Sequence, residues 1–435
     1  MGTVVLPWGE DETVSLDLPS SWKLKGVREP EAPPASLDVA EELEKALAAP
    51  FGSPPLEEFA GSARTAAIVV DDRTRPTPVH KIAARAVQEL ESAGLSRDQM
   101  TIVIALGTHR DMTEEEIEVR LGKETASSVK VINHRYENPE DLVNAGKSRR
   151  FGIPCAFNRD VMNADVVVSI GCIEAHEQAG VGGGYKNIMP GVSGPDPIYK
   201  THAFKFQKPP RISSSGMPKS KCRFRQAVDD CGELIGDKLF IINTVFVRGF
   251  VAAVVAGDPI KAHDAGRAIY ERMAGIELDG LADIVISDAR PLDIDLRVSL
   301  KSCFNSSAAL KKGGLFICVS CTEEGMGDLR LPDRVPVFAK QAIKAIPLNV
   351  LAPLASRINV SPDQAAGTIS LLRMLRSFKR MLFLTGMEEG LDTFKNMGME
   401  FFTDKEKLMD RARELMPGGE VLVLPHGGSS FVCWE

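Results

Sequence analysis

The chemistry in this sequence collects in two short loops and one glycine-rich stretch. Asp71-Asp-Arg-Thr-Arg-Pro-Thr-Pro78 carries Asp72, Arg73, Thr74 and Arg75, and Ala105-Leu-Gly-Thr-His-Arg110 carries His109. The stretch from Gly171 to His202 carries His176, Lys186 and His202. Two histidines at one small site suit reversible proton transfer, because imidazole is acid or base near neutral pH. An arginine such as Arg75 grips a carboxylate through two N–H donors at once. A lysine among glycines is either a phosphate contact or a covalent attachment point. Taken singly, each histidine reads as a hydrogen-bonded loop residue. At consecutive strand ends they read together as one site.

The glycine-rich stretch is expected to be irregular, since five glycines fall between Gly171 and Gly184. Two stock phosphate loops are excluded by spacing. Counted from Gly180, a Walker A loop would need glycine where Tyr185 stands and a hydroxyl where Asn187 stands. A dinucleotide fingerprint fails at the same Tyr185. Lys200 to Arg225 is basic and rich in proline and serine, so it reads as a solvated loop or a lid over an acidic ligand. His80, His134 and His263 read as surface or helix positions, and His426 is left without a role.

These residues must be positioned by strands alternating with helices. Thr3 to Leu6 and Val14 to Leu18 read as a hairpin. Ala66 to Val70, Thr101 to Ala105, Val129 to Asn133 and Asp165 to Ile170 read as strands, as do Leu239 to Phe246 and Val251 to Val255. Helices are expected over Val79 to Ala93, after the Thr113/Glu116 capping box, and from about Pro259 to Met273. A second set follows: strands at Ala282 to Ser287, Leu315 to Val319, Met381 to Leu384 and Glu420 to Leu424, with helices at Asp295 to Leu310, Val337 to Ile346 and Pro362 to Ser377. The pattern predicts an α/β protein of two domains, 1–275 and 276–435, each with a mainly parallel sheet flanked by helices. Ligands of such sheets sit outside the carboxyl ends of the strands, which places the site in the cleft between the domains.

Composition narrows the partners. The 435 residues are 44% hydrophobic and 26% charged, an ordinary globular balance. A net charge of -7 argues against a general nucleic-acid binder. No apolar run approaches a membrane span, and no basic segment precedes an apolar one at the N-terminus, so a cytoplasmic protein without a membrane partner is expected. The eight cysteines are scattered as reduced thiols would be, and Cys318 with Cys321 forms a lone pair too sparse for a metal site.

The loops above, with His176…Gly183-Gly-Tyr-Lys186…Pro190-Gly191, resemble the lactate racemase family that uses the nickel-pincer nucleotide. The similarity continues through Asp293-Ile-Asp-Leu296 to Lys301 and into Cys321-Thr-Glu-Glu-Gly-Met-Gly327. It implies a racemase or epimerase that inverts C2 of a 2-hydroxy acid. Lys186 would be joined to the pyridinium mononucleotide, loaded by cofactor-synthesising enzymes, and His202 would bind its nickel(II), a metal suited to such a square plane. Asp72, Arg73, Thr74 and Arg75 would line the cofactor, and Arg75 and Lys301 would contact the substrate. His109 and His176 would be the paired acid and base. The α-hydrogen would leave as hydride, because it is a poor proton.

Two positions depart from the family's pattern. Arg297-Val298 stands where the family has a Tyr-Gln pair, and Ala365 where it has a tryptophan. Arg297 then either faces a second carboxylate or polyol, or is a solvated helix residue; the first implies a substrate larger or more polar than lactate. Two other function classes compete: a zinc hydrolase or lyase, which wants a third clustered ligand, and a non-catalytic nickel or nucleotide carrier, which has no use for His109 with His176.

Overall fold

Continuous apolar runs, buried on both faces, build the first of two six-stranded sheets. In the computed structural model, which describes residues 2–9, 12–35, 37–206, 211–327, 371–392, 394 and 398–434, every residue of the strand Ala66–Asp71 is buried. This strand lies between Val166–Ile173 and Met100–Ala105, with Lys130–Asn133 beyond the latter. Leu239–Val247 and then Phe250–Gly257 extend the other side, and only that last pairing is antiparallel. The chain therefore leaves Ala66–Asp71 in one direction and returns to its other flank through Val166–Ile173. Such a reversal opens a crevice at the carboxyl ends of the two strands.

The helices follow local chemistry. Val79–Ser92 buries Val79, Ile82, Ala83, Ala86, Val87 and Leu90, the spacing of one helical face. Beyond its end, Gly94 adopts φ 99° while its N–H meets the Glu91 carbonyl. Thr113 and Glu116 form the expected capping box at the start of Glu114–Leu121.

The second sheet is parallel throughout, in the order Met399–Phe402, Arg380–Thr385, Leu310–Ser320, Ala282–Asp288, Gly419–Leu424 and Trp22–Val27. Its last member comes from the N-terminus. The hairpin of Thr3–Trp8 and Glu12–Asp17 packs there too, through Val4, Leu6 and Leu16. Residues 3–27 thus lie with the sheet of the second half, apart from the rest of the 1–275 segment to which sequence assigns them. The α/β class with mainly parallel sheets and flanking helices is as expected. Among the described residues, no helix is long and apolar enough to cross a membrane.

Four local expectations are corrected. The stretch from Gly171 to His202 is not wholly irregular: the preceding strand runs on to Ile173, and Pro195–His202 is a helix with proline in its first turn. Within Lys200 to Arg225, the described residues from Arg211 on are not a solvated loop, because Ser213, Ser214, Ser215 and Met217 are buried and Arg225 is 0% exposed at the start of the helix Arg223–Gly232. Ser215 hydrogen-bonds Asn305, and Arg211 stacks on Trp434, so this segment is packed against the second half. The helix expected to reach Leu310 ends at Ser306, and Leu310 already begins the next strand. His134 is buried beyond the end of Lys130–Asn133, neither on the surface nor in a helix, whereas His263 does lie in a helix, Lys261–Ala274, and is buried there. The helix expected over Val337 to Ile346 lies outside the described residues, as does Ala365.

Tyr270 ties the site to the C-terminal segment. Its hydroxyl accepts the Ala175 N–H and donates to the Ser429 carbonyl, both at 2.8 Å, while its ring is fully buried and stacks on Phe431. Tyr270→Phe strands a buried amide and a buried carbonyl, each previously satisfied. It should lower unfolding stability by about 1–3 kcal/mol, read as a shifted urea midpoint at unchanged slope.

Candidate active site

Each chemical loop springs from the carboxyl end of a first-sheet strand. Ala66–Asp71 delivers Asp72 and Arg75, Met100–Ala105 delivers His109, and Val166–Ile173 delivers Glu174 and His176. Asp72 is buried and forms a short hydrogen bond to His109 Nδ1 while accepting the Thr74 hydroxyl at 2.6 Å. Burial opposes its ionisation, yet the His109 charge and hydrogen bond, with Arg75, outweigh burial and hold the carboxyl well below the usual range. An ionised carboxylate only accepts, so the proton between the two groups sits on His109 Nδ1. His109 Nε2 is then the basic nitrogen.

Glu174 joins the two halves of the protein. Its Oε1 lies 3.0 Å from Arg75 Nη1 and 3.7 Å from Lys301 Nζ, and Lys301 comes from the helix Leu296–Ser306 that follows the first strand of the second half. Burial works against the Arg75 charge, but Glu174 and Asp72 overcome it and keep the guanidinium ionised. Lys301 is shifted below the usual amine range, by burial first and then by Arg75.

Lys186 sits in the single turn Gly184–Asn187, entered through Gly183 at φ 79°. A side chain at Gly183 would meet Ile173 and Asn243 within 2.8 Å, and one at Gly184 would strike Arg225 at 2.5 Å. The glycines therefore let the lysine turn pack directly onto the sheet end. Burial, reinforced by Arg75 and Lys301, brings the Lys186 amine down to about 7. Such an amine is substantially neutral, hence nucleophilic, at physiological pH.

His176 and His202 flank one ring. Phe224 is stacked against His176 at 6.4 Å between centroids and meets His202 edge-on at 5.0 Å. His202 is the last residue of its helix, and its Nδ1 donates to the Ile198 carbonyl at 2.8 Å. That bond fixes the tautomer with the lone pair on Nε2, the arrangement that metal-binding imidazoles adopt. His202 thus fits the nickel ligand that the family resemblance implies.

The other expected residues divide. Arg297 lines one small pocket with Asp72, Arg73, Thr74, His109 and Arg110. Arg73, in the same pocket, pairs with Glu116 at 3.2 Å and lies 3.9 Å from Glu324, and the Thr74 hydroxyl donates to Asp72. Cys318 is buried in its strand and Cys321 lies half-exposed beyond the strand end. Sequence reasoning missed Glu174 and Phe224. A signal for Glu174 was present: it stands two residues before His176, the spacing that puts both side chains on one face of an extended chain.

The lysine environment carries a pH signature. Acylation of Lys186 in the apoprotein, followed peptide by peptide by mass spectrometry, should show a midpoint near pH 7, since only the neutral amine reacts. Arg75→Gln removes a neighbouring cation and should move the midpoint upward. A wild-type midpoint near 10, the ordinary value for lysine, would contradict this environment.

Comparison with known proteins accords with the geometry. Residues 9–213 match the family model described as the lactate racemase N-terminal domain. The lactate racemase of Lactiplantibacillus plantarum is 27% identical over 402 residues, covering 90% of this chain and 90% of that protein. The lactate racemase of Thermoanaerobacterium thermosaccharolyticum is 27% identical over 332 residues, 75% of this chain and 76% of that one. The structure of the lactate racemase apoprotein from T. thermosaccharolyticum superposes with a TM-score of 0.83 at 24% identity, over 99% of this chain and 100% of that one. A protein from Thermotoga maritima shares the fold at a TM-score of 0.64 and 18% identity, over 92% of this chain and 99% of that one. With the matched N-terminal domain and a likeness that runs through the second half, the chain is similar to lactate racemases over most of its length.

Proposed function

We propose that this chain is a racemase or epimerase that inverts C2 of a 2-hydroxy acid more polar than lactate. The observation that carries the reading is the array at the sheet ends: a carboxylate-backed His109, a second histidine beside a depressed lysine, and Arg75 and Lys301 converging on one carboxylate. Arg75 and Lys301 suit the substrate carboxylate, which would share the cations now drawn to Glu174. His109 and His176 address the hydroxyl, and His109 Nε2 is the nitrogen placed to take its proton. Asp72 stabilises the imidazolium that results.

Lys186 and His202 would hold a nickel-pincer nucleotide, the amine as the covalent anchor and Nε2 as the metal ligand. When bound, that group supplies the acceptor for the C2 hydrogen as hydride. His202, whose Nδ1–H is committed to the Ile198 carbonyl, would offer that metal a fixed lone pair. Deprotonating C2 directly would need a far stronger base than imidazole. Arg297, on the first turn of the Lys301 helix and in the His109 pocket, suits a distal carboxylate or the hydroxyls of a sugar acid.

Protein made alongside the cofactor-synthesising enzymes should carry an added mononucleotide-sized mass on the Lys186 peptide, lost in Lys186→Ala. His202→Ala should lose nickel, whereas His109→Ala should keep it and lose turnover about 10²–10⁴-fold. Deuterium at C2 should be retained in the product; extensive exchange with solvent would instead support direct proton abstraction.

Specificity is tested separately. Across a panel of 2-hydroxy acids resolved by chiral chromatography, dicarboxylic or polyhydroxylated members should exceed lactate by about tenfold or more, the worth of a charged hydrogen bond. Arg297→Tyr should narrow that gap. Lactate leading the panel, with Arg297→Tyr silent, would remove Arg297 from the substrate site.

A further inference from the structure

The turn that carries Lys186 is held on both sides of the lysine, while the lysine amine itself is not held. His263 Nε2 donates to the Gly182 carbonyl, Arg225 Nη1 donates to the Gly183 carbonyl, and Asn243 Oδ1 accepts the Gly184 N–H, each at 2.8 Å. The three side chains come from three elements, the helices Lys261–Ala274 and Arg223–Gly232 and the strand Leu239–Val247. Next along the turn, the Tyr185 ring packs on Gly232, where an added Cβ would meet it at 2.4 Å. Beyond the lysine, Asn187 Nδ2 donates to the Ile170 carbonyl at 2.7 Å. Among the described residues, no group forms a hydrogen bond or ion pair with the Lys186 amine.

The groups that grip the glycines are themselves compensated. Arg225 Nη2 donates to Asp229 Oδ1 at 2.7 Å, one helical turn on, so its buried charge has a partner. Lys219 Nζ lies 3.3 Å from the other Asp229 oxygen and 3.4 Å from Asp264, which carries the alternating charges out to the surface. His263 is fully buried; burial, reinforced by Arg225, pushes it down to about 4, so the ring is neutral at pH 7. It also covers Gly184 closely, where a Cβ would come within 3.0 Å of the ring. A backbone pinned before and after Lys186 fixes the direction in which its side chain leaves.

We propose that Arg225, Asn243 and His263 are positioning residues for Lys186: they hold the glycine turn so that the amine stays at the sheet end without a partner, instead of swinging into water. This rests on the reading of Lys186 as the attachment lysine. An amine committed to a carboxylate or to solvent must break that contact before it attacks an acyl group, whereas an unpartnered amine on a fixed backbone is already oriented. The three residues touch neither the amine nor the group it would take up. They act through the backbone of Gly182, Gly183 and Gly184 alone, much as the outer partners of a metal ligand act through that ligand.

The test is the pH midpoint for acetylation of Lys186 in the apoprotein by acetic anhydride, read on its peptide by mass spectrometry. Arg75 and Lys301 disfavour the ammonium, Glu177 and Glu174 favour it, and His176 beside it is kept neutral by burial. His263 is neutral as well, so His263→Leu removes no charge and reaches the amine only by loosening the turn. It should move the midpoint upward by about one pH unit or more, toward ordinary lysine. His263→Gln, whose amide N–H replaces Nε2–H, should return the midpoint to the wild-type value. Asn243→Leu should resemble His263→Leu. In a cofactor-competent host, the two leucine variants should carry the Lys186 adduct about tenfold less often or worse, with His263→Gln restored. Should His263→Leu not fold, His263→Asn takes its place, because its shorter amide falls short of Gly182. Folded variants with a cooperative urea transition and a wild-type midpoint overturn the proposal, as does an equal shift in His263→Leu and His263→Gln. Failure of the underlying reading looks different: active wild type with an unmodified Lys186, whatever the midpoints.

Discussion

One buried carboxylate makes the rest of the site possible. Arg75, Lys186 and Lys301 come from three separate elements and act on one another across a poorly hydrated space. Like charges so placed repel, and each has lost solvation. Glu174 offsets this by accepting from Arg75 and drawing in Lys301. Its own position is secured from behind: the Glu174 carbonyl accepts the Gly182 N–H, and the next amide is held by Tyr270.

The same economy governs the hydroxyl side. Asp72 is ionised because His109, Thr74 and Arg75 satisfy it, and its ionisation in turn orients His109. Backbone amides alone orient His176. Two identical side chains, carried by the strands that flank Ala66–Asp71 on either side, thereby have their Nδ1 atoms held by different partners. The contrast is local in origin, a carboxylate in one loop and a tight turn in the other.

Much of the first sheet was legible because its strands are continuous β-branched runs and its helices have clear stops. Ala66–Asp71, Met100–Ala105 and Val79–Ser92 appear within a residue or so of where the pattern places them. What sequence could not show was partnership across the chain. Trp22–Val27 alternates weakly and gains its place only by pairing with Gly419–Leu424. Pro195–His202 hides behind glycines and prolines that read as loop, although proline in the first turn is a helix start. The serines at Ser213–Ser215 look solvated until Asn305 and Trp434 are seen to cover them. His109 and His176 stood out by type and position. Glu174 did not, because an acid two residues from a histidine has many explanations until its cations arrive from elsewhere.

The N-terminal strand at the edge of the second sheet has a consequence for how the molecule is made. Trp22–Val27 and its partner Gly419–Leu424 lie far apart in the sequence, so one is made long before the other. The first sheet has its own core and can assemble while the chain is still growing. The second cannot close until both ends meet across nearly the whole chain, a pairing with a high loop-closure cost. Until then Trp22 lacks the cover it has in the folded protein, and the open edge at Gly419–Leu424 is available to any extended segment. Their pairing completes the half of the protein that supplies Lys301.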